Sequence, residues 1–341
     1  MHPQTTYPAY SVERPVEQAR GARGGAAVGF LLWLLAAPYF VLCLARLLGL
    51  DSSHWILVAA VSLTPYALPV GAVLTAVLLL TRRWIVGLVS LLLTILLVTV
   101  VAPRTAAAAR PNGSGAALRV LSVNISMDHG DAAAVVRLVR ERAVDLLSIQ
   151  ELTPGAERAL DAAGLADVLP HRVFKPQPGA VGGGLASRFP VRERVVTKPT
   201  TAEHPAALID LPTRQDVEFV SVHPWYPVGP KGAEPWLRDL AGLPGPDGTR
   251  TPRILAGDFN ASLDHSAFRG VLNQGYLDAA EQVGAGLTPT WPTDKRFVPA
   301  FVALDHVLVD AQNFVVESFG TAVVPGTDHH AVLAEVKLVR G

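Results

Sequence analysis

The sequence predicts an α/β domain of two packed sheets with helices outside, preceded by three transmembrane helices. Three observations predict it. Long uncharged apolar runs are confined to the first third of the chain, short apolar strands with a few amphipathic helices follow from Leu118, and polar residues recur where those strands end. Half of the 341 residues are hydrophobic and the mean hydropathy is +0.32, high for a soluble chain, while the formal charge is zero.

Runs 26–48, 55–80 and 84–101 hold about 23, 26 and 18 residues, against the roughly 20 that a spanning helix needs. Trp55 and Trp84 open the second and third, where indole rings suit a water interface, and Pro65 and Pro69 predict a kink in the second. Arg14, Arg20 and Arg23 precede the first run and Arg82 and Arg83 lie between the last two, whereas "GLDSSH" has no basic residue beyond nearby Arg46. By the positive-inside rule the N-terminus is cytoplasmic, and everything after the third run is extracytoplasmic. A signal peptide accounts for one run at most, with "APRTAAAA" as a cleavage site after the third; core helices of this length would need a polar face. The organisation expected is therefore a cytoplasmic segment 1–25, a three-helix membrane anchor 26–102, a linker 103–117 and a folded domain 118–341. The linker is rich in Ala, Pro, Gly and Ser and reaches roughly 50 Å when extended, so the domain either rests on the membrane or stands off from it. The one cysteine, Cys43, lies in an apolar run and excludes intrachain disulfides and cysteine-based zinc or redox sites.

In the domain, "LRVLSVNIS" reads as a strand, "DAAAVVRLVRERA" as a helix with Asp131 as N-cap, and "VDLLSIQEL" as a strand. Further strands are "AALIDLP", "DVEFVSVHPW", "RILAGDFN", "ALDHVLV", "NFVVESFG" and "AVLAEVKLV". Their ends carry Asn124, Glu151, His223, Asp258 with Asn260, Asp305 with His306, and Asp328 with His329 and His330. Taken singly, an acid or amide after a strand is more often a turn former or cap. The collection is what points to chemistry.

Read in order, "VNIS", "IQEL", "GGGLASRFP", "SVHPWYP", "GDFNAS", "ALDHVLV" and "TDHHAV" carry a resemblance to the endonuclease/exonuclease/phosphatase superfamily, the DNase I-like fold, from Leu118 to the end. The resemblance implies a four-layer α/β sandwich, hydrolysis at a phosphorus ester, and a divalent metal, magnesium with manganese as the alternative. Magnesium takes oxygen ligands and keeps waters, which suits carboxylates with an amide. By motif position Glu151, with Asn124 beside it and Asp328 nearby, is the metal site. Asp258 orients or deprotonates the attacking water, Asn260 holds a phosphate oxygen, and His223 supports the phosphate or the leaving group. Asp305 fixes the tautomer of His329, which stabilises the phosphoryl oxygens.

Other residues are read more plainly. His306 and His330 follow acids directly, and neighbours on a strand face opposite sides, so neither is placed at the metal. His171, His204 and His265 are expected at the surface. Ser187 and Arg188 either brace the site or are structural, and Gly182 to Gly184 suit close backbone packing. Trp291 lies on a loop where relatives shape specificity. Ala303 stands where many relatives carry a basic residue, and Lys295 or Arg296 is the replacement, with no choice between them.

From Arg104 onward, 23 Lys and Arg face 26 Asp and Glu, a net −3, and no basic run signals nucleic acid. A membrane-anchored phosphoesterase acting on an envelope lipid phosphate or pyrophosphate is the leading reading, since tethering raises effective concentration at the same membrane. The three-helix anchor followed by this domain also resembles VanJ-like proteins, an actinobacterial branch associated with resistance to teicoplanin-type glycopeptides. The alternatives are an extracytoplasmic nuclease and a non-catalytic cell-surface binding module. The partners expected are the lipid bilayer and a phosphorylated substrate, with nucleic acid less favoured.

Overall fold

A computed structural model describes residues 17–109, 113–213, 215–246 and 251–339. Residues 1–16 of the expected cytoplasmic segment, Arg14 among them, and 110–112 of the expected linker lie outside the described residues.

Helices α1 (Glu17–Leu48), α2 (Trp55–Val61), α3 (Thr64–Leu80) and α4 (Trp84–Val101) open the described chain. The second apolar run is not one kinked helix: it breaks at Ser62 and Leu63, and α2 and α3 are bent by 76°. Pro65 lies in the first turn of α3, where its missing N–H costs nothing, and it disfavours helical geometry in the residue before it. Pro69 lies inside α3 without ending it. Among the described residues, Trp84–Thr105 is the one helix long and apolar enough to cross a membrane alone; α2 with α3 passes only as a bent pair, and Leu32–Leu48 is apolar but shorter. The helices pack through Ala36, Tyr39, Cys43, Leu74, Leu78 and Leu97, and they share the hydrogen bonds Tyr39 Oη to Thr94 Oγ1 at 2.7 Å and Thr75 Oγ1 to Ser90 Oγ at 2.8 Å. Phe30, Trp33, Leu34, Leu88, Leu92 and Ile95 face outward and are exposed.

Twelve strands follow among the described residues. They are β1 (Ala117–Asn124), β2 (Leu146–Gln150), β3 (His171–Lys175), β4 (Gly183–Ser187), β5 (Val191–Arg194) and β6 (Ala206–Ile209), then β7 (Val217–Val222), β8 (Arg253–Asp258), β9 (Tyr276–Asp278), β10 (Asp305–Asp310), β11 (Phe314–Val323) and β12 (His330–Leu338). One sheet runs β11-β12-β1-β2-β4-β3 and the other β5-β6-β7-β8-β10-β9. Each is mixed, with one parallel pair at its centre, β1–β2 and β7–β8. Helices α5 (Ala132–Glu141), α6 (Pro154–Ala162), α7 (Ala233–Ala241) and α8 (Ser266–Leu272) cover the outer faces.

Alternation along the strands explains the layers. Val120, Leu146, Phe219, Ile254, Val307 and Val336 meet between the sheets. Their neighbours Leu121, Val123, Leu147 and Ile149 point the other way onto Val135 and Val139 of α5 and Leu160 of α6. On the opposite side Val220, Leu255 and Leu308 pack against Trp236, Leu240, Phe268 and Val271 of α7 and α8, and Val58 of α2 joins this cluster. Strands buried on both faces read as continuous apolar runs, as "RILA" does. Asp131 caps α5 as expected, accepting from Ala134 N at 3.0 Å.

The linker is not a free tether. Ala102–Thr105 forms a short 3-10 turn, Ala107 bridges Val283, and Gly115 N donates to Leu338 O at 2.9 Å, so the described parts of 103–117 lie against the domain. Arg104 is the cause: its two terminal nitrogens hold both oxygens of the buried Asp264 at 2.8 Å, and Arg46 from α1 donates to the same carboxylate at 2.6 Å. Beside it Asp51 accepts from Ser266 N at 2.9 Å. The His265 ring lies 2.9 Å from Val58 O, buried rather than at the surface as expected.

Replacing Asp264 by Ala leaves two buried guanidinium groups without their anion, and the full-length protein should lose about 3–5 kcal/mol of stability, read as a lowered denaturation midpoint in detergent. Burial pushes the Asp264 carboxyl up, but Arg104 and Arg46 outweigh it and hold it below its ordinary range. Its stabilisation is thus complete above the unfolded value of about 3.9 and is lost as pH falls through the lower folded value, so the gap between parent and variant should narrow in strongly acidic buffer.

Candidate active site

Parallel neighbours end at the same edge of a sheet, and that edge gathers the expected residues. Asn124 ends β1, Glu151 follows β2, His223 follows β7 and Asp258 ends β8. Asp305 opens the antiparallel β10 in register with Asp258, and His329 immediately precedes the antiparallel β12. Gly257 permits the close approach at the centre, because a Cβ there would collide with the Val222 carbonyl of β7.

Asp258 is the hub and is 1% exposed. Its Oδ2 lies 3.1 Å from Asn124 Nδ2, 3.8 Å from His223 Nε2 and 3.6 Å from His329 Nε2, while Oδ1 accepts from Asn260 N at 2.8 Å. His329 Nδ1 meets Asp305 Oδ2 at 2.8 Å, as the family pattern implied. Burial opposes a charged His329, yet Asp305 and Asp258 overcome it and raise the ring to about 10, so it is a cation at neutral pH. Asp258 itself is raised, first by burial and then by Asp305, against the pull of the two imidazoles.

Glu151 faces Asn124 Nδ2 at 3.1 Å and His223 Nε2 at 4.0 Å. Burial raises its carboxyl, with Asp258 and Asp328 adding to the push. Both Glu151 and Asn260 have positive φ, 58° and 49°. Asn tolerates this region, but Glu does so rarely, at a cost of order 1–3 kcal/mol, so the fold holds Glu151 at its post against strain.

The donor set tests well for a hard cation. Glu151, Asp258 and Asp328 line a cavity of about 640 Å³, and no Lys or Arg is among its described lining residues. Excess acid, rich in oxygen, is what magnesium or manganese would neutralise. Asp258, Asp305 and His329 also offer ligand atoms within 4.8 Å of one another. Within that triplet His329 Nδ1 is already engaged by Asp305 Oδ2 at 2.8 Å. The two other expected ligands are engaged. Asn124 Oδ1 accepts from Ser126 N at 2.9 Å, and the Asp328 oxygens accept from Ser126 Oγ at 2.5 Å and Trp291 Nε1 at 3.2 Å. Each of these oxygens keeps a second lone pair, so metal ligation is compatible with these bonds. Asn260 Nδ2 gives one hydrogen to Pro224 O at 3.1 Å, leaving a second for a phosphate oxygen.

Several residues fall elsewhere. Ser187 pairs with Leu146 at the far end of β2, and Arg188 binds Asp145 there at 3.1 Å, so neither braces the site. Gly183 instead lies beside Gln150, next to Glu151. His204 is buried, not at the surface, and burial pushes its ring down to about 4. His171 is half-buried in β3. His306 turns away from the cavity onto Asp278 at 2.7 Å, as strand alternation implied. Lys295 is exposed and pairs with Asp294, and Arg296 lies over Phe297, so neither replaces the basic residue that Ala303 lacks.

Sequence reasoning missed the polar floor. Ser148 Oγ lies 2.8 Å from Ser221 Oγ and Gln150 Nε2 donates to Ser148 Oγ at 2.7 Å, joining β2 of one sheet to β7 of the other beneath the edge that gathers the candidate residues. Ser126 and Thr290, which accepts from Leu304 N and Asp305 N at 3.0 and 3.2 Å, were also missed. The available signal was a serine or glutamine inside strands otherwise apolar on both faces.

A profile of the Endonuclease/Exonuclease/phosphatase family matches residues 121–329. No curated protein matches the chain by sequence. Among solved structures, an endonuclease/exonuclease/phosphatase from Beutenbergia cavernae is similar at a TM-score of 0.53 and 21% identity, over 65% of this chain and 72% of that one. D. rerio TDP2 complexed with a single-strand DNA product gives 0.54 and 15%, over 65% and 99%. The 3′ phosphatase NExo from Neisseria bound to a product DNA hairpin gives 0.51 and 20%, over 64% and 98%.

Asp305→Asn removes the anion paired with His329 Nδ1. The His329 titration midpoint, followed by NMR of the ring protons in metal-free buffer, should fall from about 10. A midpoint that stays put would remove Asp305 from its orienting role.

Proposed function

The chain belongs to the endonuclease/exonuclease/phosphatase family, and from that premise we propose that it is a divalent-metal-dependent phosphoesterase held at the outer face of a membrane. The observation that carries the reading is the buried Asp258 set between His223 and His329, with Asp305 behind His329 and Glu151 alongside. Asp258 holds the attacking water and takes its proton as the water oxygen bonds to phosphorus. His329, already charged, stabilises the phosphoryl oxygens as they gain negative charge. His223 and Asn260 hold the phosphate on the other side, where the bond to the leaving oxygen breaks. Glu151, with Asn124 and Asp328, is assigned to magnesium or manganese, which supplies Lewis-acid neutralisation of the phosphoryl group when bound.

Membrane attachment is supported by the apolar exterior of α1 to α4 and by Trp84–Thr105, long enough to span. The outward orientation rests on the arginines flanking the apolar runs. The substrate assigned is an envelope phosphate ester or pyrophosphate, and the likeness to VanJ-like proteins extends this to a part in glycopeptide resistance. A nuclease is the second reading, because two solved structures of this fold hold DNA products. The absence of Lys and Arg from the described cavity lining weighs against it, since a polynucleotide backbone is bound largely through such cations.

With magnesium, the full-length protein in detergent should release phosphate from a panel of phosphate esters and pyrophosphates, and EDTA should abolish this reversibly. Asp258→Ala and His329→Ala should each lower kcat about 10²- to 10⁴-fold while the protein retains a cooperative melt. Retention of full activity by either variant would refute the assignment.

A further inference from the structure

The cavity at Asp258 and His329 is only partly built by the sandwich. Val58 and Ala59 of α2, with Ser62 and Leu63 of the break before α3, also line it, together with Tyr226, Val228 and Phe301. From this geometry we infer that the cavity is a binding site for an amphiphile. Its phosphate meets the catalytic edge, and its hydrocarbon chain lies on an apolar wall supplied jointly by α2, the helix break and the loops after β7 and before β10. The inference rests on the phosphoesterase reading and specifies its substrate class.

Four observations converge on it. The carboxylates and the imidazoles of His223 and His329 gather at the strand ends, while the remaining wall, apart from His265 held against Val58 O, is mostly apolar and carries no Lys or Arg among its described residues; one molecule satisfying both parts has an anionic head and an apolar tail. Apolar side chains also stand exposed around the same elements: Ile56 is 53%, Leu63 39%, Tyr226 52% and Val228 55% accessible. Three of these, Leu63, Tyr226 and Val228, line the cavity itself, so its apolar wall reaches the surface, as a lipid or ligand site requires. The wall is fixed, not a passing contact of a tethered anchor. His265 meets Val58 O at 2.9 Å, Tyr66 Oη of α3 donates to Phe301 O at 2.9 Å, and Arg46 and Arg104 share Asp264. Finally, α2 turns by 76° from α3, so a bilayer around α3 and α4 would meet the short helix at its surface, where an amphiphile already resides.

The test uses the full-length protein in lipid nanodiscs with magnesium. It compares kcat/KM for dodecyl and butyl monophosphates and diphosphates by phosphate release. The dodecyl-to-butyl ratio should be about a hundredfold or more, since eight further methylenes leave water. Partitioning into the disc raises the dodecyl rate for every variant alike, so the change in the ratio reads the wall. Ala59→Trp, which fills the cavity from an exposed position, and Leu63→Asp, which puts a charge on the apolar wall, should each lower that ratio tenfold or more, with the thermal midpoint checked in parallel. A ratio unmoved by both variants would overturn the lipid site alone, as would cleavage of a single-stranded oligonucleotide in preference to either ester. Failure to hydrolyse any phosphoester would instead overturn the phosphoesterase reading and this inference with it.

Discussion

Two strand pairs that run parallel, one at the centre of each sheet, impose the geometry on which this protein's chemistry depends. Antiparallel neighbours alone would send alternate strand ends to opposite sides of the sandwich. Because β1 with β2 and β7 with β8 run together, Asn124, Glu151, His223 and Asp258 emerge on one edge, and the antiparallel β10 and β12 return Asp305 and His329 to it. The polar floor of Ser148, Gln150 and Ser221 then holds the two sheets in lateral register just beneath that edge.

The electrostatics of the edge follow from the same crowding. Asp258 and Asp305 are buried side by side, and the His329 ring contacts both, Asp258 through Nε2 at 3.6 Å and Asp305 through Nδ1 at 2.8 Å. Both carboxylates raise the proton affinity of the ring against the opposing effect of its burial. Among the described residues Glu151 has no such partner at hydrogen-bonding distance other than an amide, and its left-handed backbone shows that the chain tolerates strain to keep it there. An acid raised by burial and held in a costly conformation fits a cation-binding role better than a structural one.

Much of the domain was legible because strand burial on both faces and the polar residue at each strand end are local signals. "LSVN", "SIQE" and "LAGD" display both, and Asp131 announced the cap of α5. The partnerships across the fold were not legible. Arg46 and Arg104 find Asp264 at separations of 218 and 160 residues, and nothing near either arginine encodes that carboxylate. Three histidines assigned to the surface shared a related fault: packing by other segments buries His204 and His265 and half-buries His171. Ser187 and Arg188 were left open between bracing the site and a structural role, and strand direction decides it, since a motif on an antiparallel strand has one end at the site and the other a full strand length away. The second apolar run was read from its length and its prolines, which cannot distinguish a kinked span from two helices divided ahead of Pro65.

The carboxylate of Asp264 belongs to the segment that also carries Asp258 and Asn260, while the arginines that hold it come from either side of the helical hairpin. A domain joined to its apolar helices in this way is not interchangeable cargo. Transplanted onto unrelated helices, it would leave an orphaned acid a few residues from its reactive centre, so inheritance of the two halves is coupled, and drift in one constrains what the other can become.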